Sequence, residues 1–184
     1  MKQTASQTVG PFFSIGLMHG QAQSDLVDEG VTGERITLSG FVLDGEGQPI
    51  ADALLEIWQP DSRGIFNHPL DPLHDQADPH FRGFGRAENR DAGRYEFKTI
   101  RPGRRNDMPP YINVHIFARG MLVHAMTRIY FSDEPDNNRD PVLQAVEPER
   151  RQTLIATLEK SDGARVYCFD IHMQGDDETV FFNP

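Results

Sequence analysis

The sequence has almost no cysteine and no long apolar run. Cys168 is the single cysteine among 184 residues, so an internal disulfide is excluded, as suits a reducing compartment. No segment approaches the ~20 apolar residues of a membrane-spanning helix, and the N-terminus lacks the uninterrupted apolar stretch of a signal peptide. These absences predict a soluble protein of the cytoplasm.

Positive charge is scarce as well. Lys and Arg total 18 against 28 Asp and Glu, which gives a net charge of −10 at pH 7. An acidic chain is repelled by nucleic-acid phosphates and by anionic lipid headgroups. The sequence also lacks a nucleophile elbow, a phosphate-binding glycine loop and a dinucleotide fingerprint. We therefore expect neither nucleic acid nor membrane as a partner.

Short segments of alternating polar and apolar residues are the main structural signal. Residues 36–42 and 53–59 alternate with period two on either side of 44–47, where two glycines permit a tight turn, so the two segments are predicted to pair as a hairpin. The same reasoning predicts strands at 94–99, 111–118, 121–131 and 165–172, a helix at 148–156, and loops at 20–34, 61–90 (including the glycine-rich 83–86) and 133–140. The pattern predicts an all-β chain, a β-sandwich with short helices and long loops, folded as one domain over residues 1–184.

The predicted loop at 61–90 is rich in residue types that ligate metals. It contains three histidines and three aspartates, namely His68, His74, His80, Asp71, Asp75 and Asp78. Imidazole and carboxylate groups bind most transition metals. Three prolines interrupt the segment, however, so no helix places these side chains on one face. We interpret the segment as a solvated irregular loop. One alternative is that the protein is a mononuclear metal enzyme that uses these histidines or His115 as ligands.

The predicted strand at 111–118 carries polar residues on an otherwise apolar pattern. Alternation places Asn113 and His115 on the same face, together with Tyr111 and Phe117. The simplest interpretation is a hydrogen-bonded polar pair in a tightly packed position. A stand-alone binding module, similar to the transthyretin-like sandwiches, is a second alternative at this stage.

The N-terminus is unusually apolar for a free tail. Residues 6–13 combine the pair Gly10-Pro11, which restricts the backbone, with Phe12 and Phe13. Such a segment either packs on its own sandwich or covers a neighbouring chain.

Several motifs together resemble the intradiol ring-cleaving dioxygenases. They are Trp58-Gln59-Pro60-Asp61, the stretch from Gly93-Arg94-Tyr95 to Arg101-Pro102-Gly103, and the strand from Asn113 to Arg119. The N-terminal SQTVGPF at 6–12 and the GDDETVFF at 175–182 narrow the resemblance to one type of subunit, and the similarity extends over nearly the whole chain.

The resemblance has a direct consequence for metal binding. In this family, Fe(3+) is held by two tyrosines and two histidines of the beta subunit. The matching positions of this chain are Phe66, the pair Arg104-Arg105, Asn113 and His115. Only His115 keeps a ligand of the expected type. The resemblance therefore implies that this chain has no metal site and no catalytic residue, and that Fe(3+) is bound by the partner beta subunit.

The resemblance also implies a role beside that partner. The first 35 residues would form an arm that contributes to the partner's active site, with substrate-binding positions at Thr8, Gly10, Pro11, Phe12 and Arg119. The alternative for Arg119 is an ordinary interface ion pair. The partner would be a homologous iron-bearing beta subunit within a larger symmetric assembly, and the substrates would be O2 and a small aromatic dihydroxy acid, cleaved between its hydroxyls.

Overall fold

The computed structural model describes residues 4–10, 12–18, 23–89, 93–161 and 163–183. Within this part the chain forms nine strands: β1 Arg35–Leu43, β2 Leu54–Trp58, β3 Phe84–Glu88, β4 Arg94–Ile100, β5 Ile112–Phe117, β6 Ala125–Phe131, β7 Ile155–Ser161, β8 Ala164–Cys168 and β9 Ile171–His172. The helices there are short: α1 Phe13–Met18, α2 Pro141–Ala145, and single 3-10 turns at His74–Gln76, Asn137–Arg139 and Arg151–Leu154. Among the described residues, no helix is long and apolar enough to cross a membrane.

Eight of the strands form two four-stranded halves, and one short strand pairing joins the halves in the hydrogen-bonding order. Hydrogen bonding runs in the order β3-β2-β5-β6-β7-β8-β1-β4, and β9 pairs with β1. Pairing is antiparallel within β3-β2-β5-β6, whereas β6 and β7 touch in parallel through only two residue pairs, Tyr130 with Ile155 and Phe131 with Ala156. This arrangement confirms the predicted sheet-rich fold. That the chain is one domain over 1–184 stays a prediction.

The core lies between the two halves. One buried cluster contains Leu38 and Phe97 from one half and Ile57, Val114 and Ile129 from the other. Each such side chain contributes roughly 1.5–3 kcal/mol by leaving water. The predicted alternation in β5 is confirmed, because Ile112, Val114 and Ile116 are buried while the residues between them are half-buried.

A buried polar contact also links the halves. The Thr99 hydroxyl donates to Gln59 Oε1 over 2.9 Å, and Gln59 Nε2 donates to the Ile100 carbonyl over 2.9 Å. All three residues are buried, so each of these polar groups needs the partner that it has. Gln59 therefore fixes the end of β2 against β4.

A turn forms at 44–47 as predicted, but the hairpin predicted around it is wrong, because β1 pairs with β4, β8 and β9 whereas β2 pairs with β3 and β5 in the other half. Gly47 has a φ of +73°, which a glycine adopts without strain, and Asp44 Oδ1 accepts from the amides of Glu46 and Gln48 at 2.9 Å each. The sequence also predicts a turn at 89–93, just before the strand at 94–99, and residues 90–92 of it are outside the described residues.

Four predictions about secondary structure are wrong in detail. The strand predicted at 121–131 begins only at Ala125, because 121–124 turn back toward β5. The helix predicted at 148–156 is a single 3-10 turn that leads into β7. The glycine-rich 83–86 belongs to β3 rather than to a loop. The strand predicted at 165–172 divides into β8 and β9.

Candidate functional site

The outer face of the β3-β2-β5-β6 half gathers the polar residues that sequence analysis singled out. In the strand register, Trp58 lies opposite Asn113, which lies opposite Arg128. One step along the strands, Glu56 lies opposite His115. All five are half-buried, on the side of the sheet away from the core. We call this surface the outer face; it contains the predicted ligand positions of β5.

Phe66 lies on the outer face because its ring packs on Trp58. The two ring centroids are 5.5 Å apart with 21° between the planes, and the His68 ring meets Trp58 edge-on at 6.3 Å. The Arg105 guanidinium lies 5.3 Å from the centroid of Phe66. The structure thus brings together three of the predicted ligand positions, at Phe66, Arg105 and Asn113. Trp58 lies between Phe66 and Asn113.

Two glycines make this convergence possible. Gly64 has a φ of +82°, and a Cβ at this position would lie 2.0 Å from the Arg104 carbonyl oxygen. At Gly103 a Cβ would lie 2.3 Å from the Ser62 carbonyl oxygen. The two loops therefore approach more closely than any side chain allows. The close approach places Phe66 and Arg105 side by side.

The loop at 61–90 is not the solvated irregular segment that its composition predicts. Asp61, Asp71 and Asp78 are buried and accept hydrogen bonds from backbone amides, as when Asp61 Oδ1 accepts from Ile65 over 3.0 Å. Asp61 Oδ2 accepts from the Asp78 amide over 3.0 Å. These carboxylates organise the loop from inside, replacing the helix or strand that the sequence does not provide.

The same contacts control the charge of two carboxylates. Burial by itself would raise the pKa of Asp71, but the amides of Leu73 and Phe66 and the charge of Arg105 together lower it. Burial by itself would also raise the pKa of Asp78, but the hydrogen bonds from the amide and the hydroxyl of Thr32 outweigh burial, so this pKa is lowered too. Both groups therefore stay ionised as acceptors. A metal ion would have to displace these bonds.

The histidines of this loop do not form a metal site. Within the ranges that the structure describes, no three residues among His, Cys, Asp and Glu are placed to hold a metal ion together. His68 Nδ1 already accepts from the Leu70 amide over 3.2 Å, and the His80 ring lies against Gly30. The alternative of a mononuclear metal enzyme therefore gains no support from the geometry.

His115 belongs to a stack of three rings. The His124 ring stacks on His115 with centroids 5.0 Å apart and on Phe117 with centroids 5.2 Å apart. Burial lowers the pKa of His115, the nearby His124 lowers it further, and Glu56 opposes the change. The neutral imidazole is therefore favoured. The sequence does not indicate this contact of His124, because the strand wrongly predicted at 121–131 excludes the turn that returns His124 to β5.

The four predicted ligand positions do not fit ferric iron. A phenylalanine ring has no donor atom, the Arg105 guanidinium is a cation where a ligand would be an anion, and the Asn113 amide is a weak donor for a hard ion. His115 alone carries an imidazole, and it faces His124 rather than the Phe66 cluster. The outer face therefore offers packing and positive charge instead of a coordination shell.

The N-terminal arm, residues 4–10 and 12–18, contacts the same half of the sandwich. Thr8 Oγ1 accepts from the Gly120 amide over 2.8 Å, next to Arg119 at the end of β5. A cleft of about 300 Å³ lies there, lined by Gln7, Val9, Phe117, Met121, Leu122 and His124. The arm thus contacts its own sandwich at this point, and the alternative that it covers a neighbouring chain stays a prediction.

The other predicted substrate-binding residues are placed as follows. The Gly10 carbonyl accepts from the Phe13 amide over 3.1 Å at the start of α1, and Phe12 is 75% exposed. Pro11 is outside the described residues. Arg119 forms an ion pair with Asp52, yet its side chain is 60% exposed. The structure therefore places Thr8 beside Arg119 and leaves Phe12 facing solvent.

The fold agrees with that of known proteins. A family model described as a dioxygenase matches residues 8–175. The chain belongs to this dioxygenase family. More particularly, it is similar to the protocatechuate 3,4-dioxygenase alpha chain of Burkholderia cepacia, with 43% identity over 196 residues, covering 100% of this chain and 98% of the relative. The alpha chain of the same name from Pseudomonas putida is 40% identical over 200 residues, covering 100% and 97%.

Two further relatives are informative. The protocatechuate 3,4-dioxygenase beta chain of Burkholderia cepacia is 33% identical over 158 residues, covering 80% of this chain and 67% of the relative. Among solved structures, the dioxygenase domain of a carbohydrate-binding fusion protein from Streptomyces sp. SirexAA-E has a TM-score of 0.66 at 22% identity, covering 94% of this chain and 96% of that domain. The likeness to the solved structure supports the fold, and the identity with the beta chain shows that this chain is related to a beta chain as well as to alpha chains.

Proposed function

We propose that this chain is the iron-free alpha subunit of a protocatechuate 3,4-dioxygenase and pairs with a homologous beta subunit that binds Fe(3+). The observation that supports the proposal is the outer face, which brings together Phe66, Arg105 and Asn113 from the predicted ligand positions, while only His115 among those positions has an imidazole. Full-length similarity to alpha chains accompanies this loss of donors. The chain is therefore kept for a role other than holding iron.

The reaction of the assembled enzyme is cleavage of 3,4-dihydroxybenzoate between its two hydroxyls. Both atoms of O2 enter the product, 3-carboxy-cis,cis-muconate. The substrate has an aromatic ring and a carboxylate, so a site for it needs a flat apolar wall and a cation. This chain supplies both kinds of group near the end of β5, and the iron chemistry belongs to the beta subunit.

The N-terminal arm is the part of this chain that enters the shared cavity. Thr8 fixes the arm beside Arg119, and Gly10 leaves the backbone open to close approach by a planar ring. Phe12 presents its ring to solvent, where a neighbouring chain can cover it. Pro11 stays a prediction, together with the role of residues 1–35 as a whole. Arg119 offers its guanidinium to the substrate carboxylate or to the partner's surface.

Exposed apolar side chains support a partner on this side of the molecule. Phe12 and Ile15 of the arm are exposed, and so are Leu122 and Val123 beside the Thr8 contact. Apolar groups gathered near one site on a surface mark an interface between proteins. Neighbouring alpha and beta chains would bury them, and repeated pairs would build the symmetric assembly.

The test compares this chain alone with the chain co-expressed with its beta subunit. We expect the isolated chain to be colourless and to contain no stoichiometric iron, and the complex to be coloured, to contain iron and to cleave 3,4-dihydroxybenzoate. Iron content and visible absorption are measured on both. Iron and colour in the isolated chain would show that the interpretation of the four ligand positions is wrong.

A further inference from the structure

Arg86 on β3 contacts the chain on both sides of residues 19–22. Its guanidinium donates from Nη1 to the Leu17 carbonyl over 3.0 Å. Its backbone amide donates to the Gln23 carbonyl over 3.1 Å. The two carbonyls lie on either side of residues 19–22, so one residue of the sheet holds both ends of the segment that joins the arm to the rest of the chain.

The guanidinium is itself held in place by Glu56. Arg86 Nε donates to Glu56 Oε1 over 2.9 Å, and the two residues lie opposite each other on neighbouring strands. The Arg86 side chain is only 18% exposed, and it lies near the ring of Phe84. A charge-assisted bond that is partly shielded from water is stronger than an exposed one. Glu56 therefore directs the remaining donor of Arg86 toward the arm.

Helix α1 needs such a donor at its end. The last carbonyls of a helix have no partner within the helix, and a positive charge there is favourable. The carbonyl of Leu17 lies in the last turn of the six-residue α1, and it accepts from Arg86. The fork of a guanidinium bonds a carboxylate and a carbonyl at the same time, whereas an ammonium is a single point charge. An arginine is thus the residue that this position requires.

Polar contacts dominate the attachment of the arm. Most of its described residues are exposed, and only Val9, Phe13 and Met18 are half-buried. Burial of so little apolar surface contributes weakly to order. The described contacts that fix the arm to the sheet are the Thr8 bond at the end of β5 and the Arg86 bond above β3. Between them the arm crosses the outer face and carries Gly10 and Phe12.

We propose that Arg86 is a positioning residue that fixes the N-terminal arm across the outer face, in the orientation in which Phe12 enters the cavity shared with the beta subunit. The inference rests on the proposed function for its effect on catalysis, but the anchoring itself is a property of this chain. Arg86 acts only through the arm. Loss of the anchor weakens the binding of the substrate ring and leaves the chemistry at the beta subunit intact.

The experiment uses the assembled complex with four variants of this chain. Arg86→Gln removes the anchor, and Glu56→Gln combined with Arg86→Gln removes it without leaving an unpaired carboxylate. Arg82→Gln is the matched control, because Arg82 is an exposed arginine just before β3. Amide hydrogen exchange of Phe13–Met18 reports on the arm, and steady-state kinetics with 3,4-dihydroxybenzoate report KM and kcat separately.

We expect exchange in α1 to become at least about tenfold faster in both Arg86 variants, as the loss of a charge-assisted bond implies, with exchange in β2 and β5 unchanged. KM should rise about tenfold and kcat should change less than twofold, while Arg82→Gln resembles the wild type. Arg86→Lys keeps the charge beside Glu56 but cannot bond both groups, so it should assemble and still show the faster exchange.

The outcomes separate the two claims. Unchanged exchange in α1 would overturn the anchoring role of Arg86, whatever the kinetics show. Faster exchange with an unchanged KM would confirm the anchor and overturn the placement of the arm in the shared cavity. If Arg86→Gln fails to assemble, Arg86→Lys answers the same question, because slow exchange in that variant would also contradict the proposal.

Discussion

The ring of Phe66 stacks on the indole of Trp58, with centroids 5.5 Å apart and 21° between their planes. The contact shows that Phe66 is a packing residue of the outer face. On its other side lies Arg105, whose guanidinium is bonded to Asp71 over 2.6 Å. The predicted ligand positions therefore have packing and ionic contacts of their own, and a metal ion bound there would have to break them.

Restoring one donor should not restore metal binding. We expect Phe66→Tyr to leave the isolated chain colourless and without stoichiometric iron, because the other positions still offer one imidazole only. Its free energy of unfolding should change by less than about 1 kcal/mol, since the ring is kept. Iron analysis and urea unfolding test both statements, with the beta subunit as the positive control for iron. A coloured Phe66→Tyr chain would contradict the ligand assignment.

The contact between the two glycine-containing loops should be sensitive to a single methyl group. Gly103→Ala places a Cβ against the Ser62 carbonyl oxygen, so the loops must separate, and we expect the free energy of unfolding to fall by about 1–3 kcal/mol. Gly16→Ala is the control, because a Cβ there meets nothing within 4 Å and alanine favours the helix. Equal stability of Gly103→Ala and wild type would show that the close approach is not tight.

The ring stack at His115 predicts a dependence of stability on pH. The lowered pKa of His115 means that the unfolded chain binds more protons than the folded one below pH ~6.5, the ordinary value. The free energy of unfolding should therefore rise with pH from the lowered pKa up to about 6.5. His115→Gln should flatten this slope. His124→Phe should reduce it, because it removes the imidazole that lowers the pKa of His115 while keeping a stacked ring. Urea unfolding between pH 5 and 7 measures the slope for the wild type and for both variants.

The groups that face His115 set the size of this effect. Glu56 from β2 favours the imidazolium, but Glu56 is itself paired with Arg86 from β3. His124 opposes the imidazolium, and the neighbour on β6 is the uncharged Met126. A slope that is unchanged in His115→Gln would place the titration in another group.

Arg119 should matter more to the assembled enzyme than to this chain alone. Its ion pair with Asp52 is exposed, and exposed pairs contribute little, so Arg119→Ala should change the free energy of unfolding by less than about 1 kcal/mol. We expect ring cleavage or assembly to be impaired. Arg139→Ala, which removes a similarly exposed pair with Asp136, is the matched control. Unchanged kinetics together with intact complexes would reject a role for Arg119 in the shared cavity.

The sequence predicted the strands whose inner residues are large. The β5 pattern alternates isoleucine and valine with polar residues, and its bounds were found almost to the residue. Strand β3 was missed because its inward residues are Gly85 and Ala87. The structure explains the small residues: a Cβ on Gly85 would lie 2.7 Å from Leu26, which fills the space that a larger side chain would occupy. Alternation of polar and apolar residues cannot indicate a strand whose inward residues are small because another segment fills the space beside them.

The site was predictable only as far as it is local. Asn113 and His115 share a face by strand periodicity, and this was expected from the sequence. The contributions of His124 and Arg86 depend on a turn and on the register between neighbouring strands, which residue pattern alone does not determine. The carboxylates of the loop at 61–90 were recognised as a group, but their inward direction follows from hydrogen bonds to distant amides such as that of Thr32.

The position of Trp58 has a practical consequence. The chain has one tryptophan, and its indole lies on the outer face, stacked on Phe66 and met edge-on by His68. Ultraviolet emission excited selectively in this indole therefore comes from that face and from no other part of the chain. The polypeptide contains its own fluorophore on the outer face, so events at that surface can be followed without a label.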